Sequence, residues 1–486
     1  MKQPLTFLFL VALLSGCAVR DQLTRPDDPV EALRYDIDAI LSDSVFLPTT
    51  PAIKIVSLDL GDVLYEKNSK TLMRPASNTK LVTSAAALGI LGTEYRFHTS
   101  ILADSLRPDG TIEGPLYIRG YGNPDLRVSD LDSMISQLKA IGVKSITGNI
   151  VADASLFDDL YWGEGWMWDD EPYSYEAAIS ALSVNKNCVK VSVIPEVPGG
   201  GVQVLVEPPT RYVTVLNTAR TVADSAVIPL EVTRLFQDRL NTVVVSGEVV
   251  SERDTIKRLV TVWRPELYAA TLLKERLEAD SIQVRGQPVI GVALPWSREM
   301  AYHSWPMDSM VINLNKASDN LSAESSLKLM SVARGGIPGT AKHGRYQVNA
   351  FLSELGIDTT KYYIVDGSGV SHYNLVTAEM LVQLLTAMTR RSDLFPLFYE
   401  SLPVAGVDGT LETRMRRTPA EGNLRGKTGS IGGVSSISGY VTTADGERLV
   451  FSILMQDFIL PTRYYRHAQD ALGALMAAFT RTASVK

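Results

Sequence analysis

A serine and a lysine three positions apart, Ser77 and Lys80 in RPASNTKLVTSAAALG, could act as a nucleophile and its base. A serine hydroxyl attacks an acyl carbon near neutral pH only when a neighbour takes its proton. Lysine can do this only while partly neutral, and an unperturbed lysine titrates near ~10.4. Burial or a second cation lowers that value. S-x-x-K recurs at Ser136/Lys139, Ser183/Lys186 and Ser325/Lys328, so spacing alone selects nothing. Context selects the first copy. Pro75 suits the first turn of a helix, where its missing N–H is not needed. A serine there lies beside the positive end of the helix dipole, and Lys80 falls on the same face. Two further clusters carry suitable groups: Ser318-Asp319-Asn320 in NKASDNLSAE, and Lys427-Thr428-Gly429-Ser430 in LRGKTGSIGG. No histidine stands near any of the three, so a histidine-based triad is not the natural reading.

These residues need rigid elements to bring them together. IKIVSLDL (53–60), a turn at Gly61-Asp62 and VLYEKN predict a hairpin. KLVTSAAALGILG (80–92) predicts an apolar helix that stops at Gly92. Between 97 and 263 short strand-like stretches alternate with turns around one helical segment, 130–142. Helical patterns return at 264–279, 318–333, 345–355, 377–390 and 463–480. GVSSISGYVTTADGERLVFSILMQ (433–456) predicts two strands about Asp445-Gly446, with KTG just before them. Mixed helix and sheet at both ends thus enclose a mostly β insert, and Gly429, Gly432 and Gly433 would let a ligand lie close to a strand edge.

The bulk properties narrow the class. The chain has 486 residues, 45% hydrophobic and 21% charged, with a formal net charge of −7. Two or three domains are expected at that length. An acidic balance without basic runs argues against nucleic acid as a partner. Five histidines and two cysteines, none in HxH, HExxH or CxxC spacing, argue against a dedicated metal site. Residues 1–17, MKQPLTFLFLVALLSGC, have Lys2, an apolar run too short to span a bilayer, and a Leu-Ser-Gly-Cys ending. The ending resembles a bacterial lipobox, which implies cleavage before Cys17 and its lipidation. The expectation is a signal peptide over 1–16, a lipidated tether over 17–30 and export to the periplasm, anchored at the outer or inner membrane. Cys188 would then have no disulfide partner.

Ser77/Lys80, Ser318-Asp319-Asn320 and Lys427-Thr428-Gly429 together match the S-x-x-K, S-D-N and K-T-G set of penicillin-binding proteins and class A β-lactamases. The chain resembles the low-molecular-mass penicillin-binding proteins of the D-Ala-D-Ala carboxypeptidase/endopeptidase type, the S13 peptidase family. LYEKNSKTLMRPASNTKLVTSAAALGILG, GYGNPDL, VDGSGVSHYNLVTAEML and SLPVAGVDGTLETRM resemble its recurrent segments as well. So does the long interval between Ser77 and Ser318, which in that family holds inserted domains. One departure is Ser430, where the family more often has threonine; the hydroxyl is kept.

The resemblance implies an α+β fold: a penicillin-binding transpeptidase-like domain, an antiparallel sheet flanked by helices, formed by 31–96 and 264–486. Residues 97–263 would form one or two inserted β-rich domains. It implies a serine D,D-peptidase acting on peptidoglycan stem peptides and acylated by β-lactams, with no cofactor. Ser77 would be the nucleophile and Lys80 its base, with Lys427 close enough to lower the lysine's pKa. Ser318 would relay a proton to the leaving amine and Asn320 hold the substrate's peptide group. Lys427 and Thr428 would meet the terminal carboxylate, Gly429 would give close approach, and the backbone N–H groups of Ser77 and Ser430 would form an oxyanion hole.

The rival readings are a β-lactamase and a non-catalytic binding module. The nearest match to a deacylating E-x-x-L-N segment is QDRLN, with Gln237 in the glutamate's place, and no motif residue is missing. Asp366-Gly367-Ser368-Gly369 reads as a structural turn and His372 as a loop residue. The tryptophans of YWGEGWMW (161–168) read as packing at a domain junction. Asp153, Asp158 and Asp159 could face a diaminopimelate amine, though solvated acids are the simpler reading.

Overall fold

The computed structural model describes residues 25–482. The signal peptide, Cys17 and most of the expected tether lie outside the described residues. The tether's expected end at 30 is too late: a helix begins at Pro29, capped by the Asp28 carboxylate, which accepts from Glu31 N–H at 2.9 Å.

Five antiparallel strands form the central sheet, in the spatial order 425–431, 434–442, 448–456, 50–57 and 63–67. The two ends of the chain therefore build one sheet, with Ile53 opposite Ile453 and Ile437 opposite Ile453 on its other side. Strands 434–442 and 448–456 are buried along nearly their whole length because helices cover both faces. Alternation sorts their side chains. Tyr440, Val450 and Leu454 enter one core with the helices Thr79–Leu91, Asn320–Ala333 and Ala378–Thr389. Ile437, Phe451 and Ile453 enter another with Pro29–Leu41 and Arg463–Ala478.

The second body extends past the expected 97–263 insert. Its main sheet is mixed, in the order 288–290, 150–153, 116–120, 96–103 and 298–306, and two pairs are parallel. Helices Val128–Ala140 and Pro265–Ala279 bury Leu131, Ile135, Tyr268 and Leu273 against it. Smaller three-stranded sheets centre on 188–195 and 242–246. The packing does not change at the expected 263/264 boundary. Strand 298–306 pairs with 96–103 from Arg298 opposite Ala103 to Pro306 opposite Arg96, and the chain re-enters the first core at Trp305 and Met307. A helix's period gives its buried stripe but not the partner it buries that stripe against, so residues 264–306 read as frame when they pack with the insert. The entering and leaving strands lie side by side, and Met307 N–H donates to the Tyr95 carbonyl at 2.9 Å.

Candidate active site

All five residues expected to do chemistry converge where the Thr79–Leu91 helix, the Asn320–Ala333 helix and the edge strand Arg425–Ile431 meet. A short 3-10 turn, Ala76–Asn78, leads into the first helix and presents Ser77 half-buried at its start. Ala76 and Ser318 both sit in the left-handed region, at φ 47° and 58°. Such conformations cost about 1–3 kcal/mol in a non-glycine residue and persist only when their surroundings hold them. The surroundings here are tight. A Cβ on Gly369 would meet the Ala76 carbonyl at 1.9 Å, and one on Gly429 would meet Ser436 Oγ at 2.3 Å and Ser77 N at 2.8 Å. Asn78 Nδ2 donates to the Lys427 carbonyl (3.1 Å) and to Ser436 Oγ (2.7 Å), which tie the turn to the edge strand and to its neighbour 434–442.

Lys80 is fully buried, and its Nζ donates to Ser77 Oγ at 3.0 Å, Asn320 Oδ1 at 2.5 Å and the Ser368 carbonyl at 2.7 Å. Burial pulls its pKa down to about 8 against the opposing pull of Asp366, Glu324 and Asp319. Lys427, also fully buried, donates to Ser318 Oγ at 2.9 Å; burial and then the charge on Lys80 hold it well below the ordinary lysine range. Each lysine is thus matched to one serine hydroxyl. Thr428 Oγ1 donates to Thr410 Oγ1 at 2.6 Å, while Ser430 is exposed on the same edge.

The Asp366–Gly369 stretch is a turn, and it also borders Lys80. The Asp366 carboxylate accepts from Gly369 N–H (2.8 Å), Ser371 N–H (2.7 Å), Asn374 Nδ2 (2.7 Å) and Trp166 Nε1 (3.0 Å). Glu324 Oε1 accepts from the N–H groups of Gly367 and Ser368 at 2.9 and 2.8 Å, and burial followed by the charge of Asp366 lifts it to about 7. Neither acid was singled out as a site residue from the sequence; the available signal was Glu324, the one carboxylate of the helix Asn320–Ala333. The Ser183/Lys186 copy of S-x-x-K also reaches the site. Lys186, from the insert, bonds Asp125 and stands 2.9 Å from Asp319 Oδ2, between Ser318 and Asn320.

Two cavities of about 560 Å³ open on Ser77 and Ser318 from opposite sides. One is bounded by Ser430–Gly432, His372, Met167, Asp170, Tyr175 and Glu176. Here the insert touches the site directly, because the Tyr175 carbonyl accepts from Asn320 Nδ2 at 2.6 Å. Burial and then the charge of Asp170 raise Glu176 to about 8. The other cavity runs past Thr428 and Thr410 to Arg414, Arg463 and Arg466.

The three candidate acids are elsewhere. Asp153 accepts from Ala293 N–H at 2.9 Å, Asp158 from Lys328 Nζ at 2.5 Å, and Asp159 lines a separate hollow. Of the tryptophans, Trp166 crosses to the frame through Asp366, Trp162 stacks on Trp263 at 5.7 Å, and Trp168 is exposed.

Residues 33–479 match the sequence profile of the D-Ala-D-Ala carboxypeptidase 3 (S13) family. The chain belongs to that family of serine hydrolases. It is 35% identical over 462 residues to a D-alanyl-D-alanine carboxypeptidase of Actinomadura sp. (strain R39), covering 92% of this chain and 85% of that protein. Penicillin binding protein 4 (dacB) of Haemophilus influenzae has the same fold, with a TM-score of 0.80 at 24% identity over 90% of this chain and 98% of the other. The same Haemophilus protein in complex with a β-lactam superposes with a TM-score of 0.75 at 23% identity, over 90% and 98% of the two chains. The α+β class and the antiparallel sheet with flanking helices expected for an S13 chain are those found.

Proposed function

We propose that this S13 chain cleaves D-Ala–D-Xaa bonds of peptidoglycan stem peptides through an acyl-enzyme on Ser77. The observation that carries the reading is Lys80 Nζ, buried, 3.0 Å from Ser77 Oγ and with its pKa brought down to about 8. Near pH 7 roughly a tenth of such a lysine is neutral, against well under a thousandth at its ordinary value. That neutral fraction takes the serine proton as the hydroxyl attacks the carbonyl. The tetrahedral oxyanion is met by the backbone N–H groups of Ser77 and Ser430, and Gly429 between the strand and the turn keeps them close. Ser318, with Lys427 behind it, passes a proton to the departing amine. Asn320 orients the substrate's peptide group, and Thr428 with Lys427 receives the carboxylate beside the broken bond. Water then releases the acyl group. No metal or cofactor enters this scheme.

Glu176 faces the same cleft, but at a pKa of about 8 it is mostly protonated at neutral pH. It is therefore poorly suited to drive the fast deacylation of a β-lactamase. β-Lactams should accordingly acylate Ser77 and stay. Intact mass after incubation with benzylpenicillin, beside Ser77→Ala, tests this: one stable adduct per chain, absent in the variant, is expected. An intact drug with no adduct would favour the binding-module reading, and hydrolysed drug with no adduct a β-lactamase.

Export and anchoring through a lipid on Cys17 belong to the same proposal. They are supported by the Leu14–Cys17 sequence and by substrates that lie outside the cytoplasm. Cys17→Ser in a cell expressing the full chain should move the protein from the membrane to the soluble fraction.

A further inference from the structure

The two cavities that flank Ser77 are alike in volume and differ in the groups on their walls. Asp170 and the largely protonated Glu176 border one, while Arg414, Arg463 and Arg466 border the other with His467 and with Asp470, the partner of Arg414. Arg414 is committed to the fold: its Nε donates to Asp470 Oδ1 at 2.8 Å and its terminal nitrogen to Gln469 Oε1 at 3.1 Å. Gln469 in turn donates to Ser435 Oγ at 3.0 Å, and Ser435 lies opposite Ser430 in the sheet. Arg463 and Arg466 are different. Both are exposed, and neither forms an ion pair among the described residues. They occupy the first turn of the Arg463–Ala478 helix, which carries no acid. Cations there oppose the helix dipole, so the helix gains nothing from them. Arg463 lies over the Tyr464 ring at 5.0 Å and its Nη2 donates to the Tyr464 hydroxyl at 3.3 Å, which leaves its charge unpaired.

Under the reading proposed above, on which this inference rests, Thr428 meets the carboxylate of the departing residue. The arginine-lined cavity is then the leaving-group side. D-Alanine has one carboxylate and a methyl side chain, and would leave most of this cavity unfilled. We propose that Arg463 and Arg466, with Arg414 behind them, form a second anion subsite that takes a further carboxylate of the leaving group. The class of leaving group it fits is a dicarboxylic residue or an acidic peptide strand. Guanidinium groups suit this role because they offer paired donors to a carboxylate's two oxygens.

The test uses the full chain and two synthetic stem peptides that differ only at the far end of the leaving residue. One ends in D-Ala–D-2-aminopimelate and the other in D-Ala–D-2-aminooctanoate, a neutral chain of similar reach. The readout is the ratio of their kcat/KM values, in which any general loss of folding or chemistry cancels. Two partly exposed charge pairs predict a ratio of about tenfold for the dicarboxylate at low salt, falling as salt is raised. Arg463→Gln/Arg466→Gln should bring the ratio to within about twofold of unity. A wild-type ratio near unity, or a preference that survives in the double variant, would overturn the subsite. Benzylpenicillin acylation of Ser77, read alongside, separates the two levels. An adduct with a flat ratio removes the subsite alone, whereas no adduct removes the parent reading and the subsite with it.

Discussion

The frame and the insert contribute to the cleft in different ways. Every group proposed to touch the reacting bond (Ser77, Lys80, Ser318, Asn320 and Lys427) comes from the frame, on two helices, the turns that lead into them and an edge strand. The insert reaches the same place through polar contacts one step back: the Tyr175 carbonyl on Asn320, Lys186 on Asp319, and Trp166 on Asp366. The difference teaches that chemistry and orientation are carried by separate bodies. Atoms that must hold sub-ångström geometry sit on elements pinned by a fully packed sheet, and the insert sets their direction from outside.

That division can be broken by substitution. Lys80→Ala removes the proposed base and should slow penicillin acylation by about 10³-fold or more, as loss of a general base does. Gly429→Ala comes next. Its methyl would lie 2.8 Å from Ser77 N and force the edge strand off the nucleophile, a displacement expected to cost about 10²-fold. Stopped-flow acylation measures both.

Lys186→Met tests the insert's share. It leaves Asp125 and Asp319 facing each other without their cation, and a loss of about tenfold is expected, chiefly in kcat rather than KM. Lys186→Arg should recover most of it. A loss as large as that of Lys80→Ala would place the insert inside the chemical machinery, and none at all would make the contact idle.

Glu324→Gln gives the smallest effect. It keeps an acceptor for the Gly367 and Ser368 N–H groups but removes a charge that raises Lys80. Acylation should rise with pH through about 8 in the wild type, as Lys80 loses its proton. The variant's rise should come at lower pH, with a gain of a few-fold near pH 7. A shift to higher pH would contradict Lys80 as the group that titrates.

Much of the frame was legible in the sequence because its patterns are local. Gly92 caps the helix that follows Ser77 at φ 89°, and the turn at Asp445-Gly446 joins the two buried strands as read. The candidate site was legible because its members fall in short recognisable motifs, and the structure brings those motifs together. What stayed hidden depends on contact between distant segments. Nothing local tells that Pro265–Ala279 packs with the insert, that Lys186 braces Asp319, or that Asp170 and Glu176 rather than Asp153, Asp158 and Asp159 border the cleft. Lys186 matches the S-x-x-K spacing with Ser183, yet its contact is with Asp319 of the Ser318-Asp319-Asn320 triplet, which no local spacing reveals.

The paired strands at the neck have a consequence for the order of folding. Tyr95 and Met307 are hydrogen-bonded neighbours although the whole insert lies between them. Joining the ends of a flexible segment of about 200 residues costs roughly 5 kcal/mol of chain entropy. If the insert folds first, its own sheet has already met that cost, and it delivers the two halves of the frame to each other as though joined by a short linker. The insert would then act as the internal chaperone of the domain it interrupts. Pulse-labelled hydrogen exchange should show amides of 96–103 and 298–306 protected before those of 50–57 and 448–456, and the reverse order would assign that role to the frame.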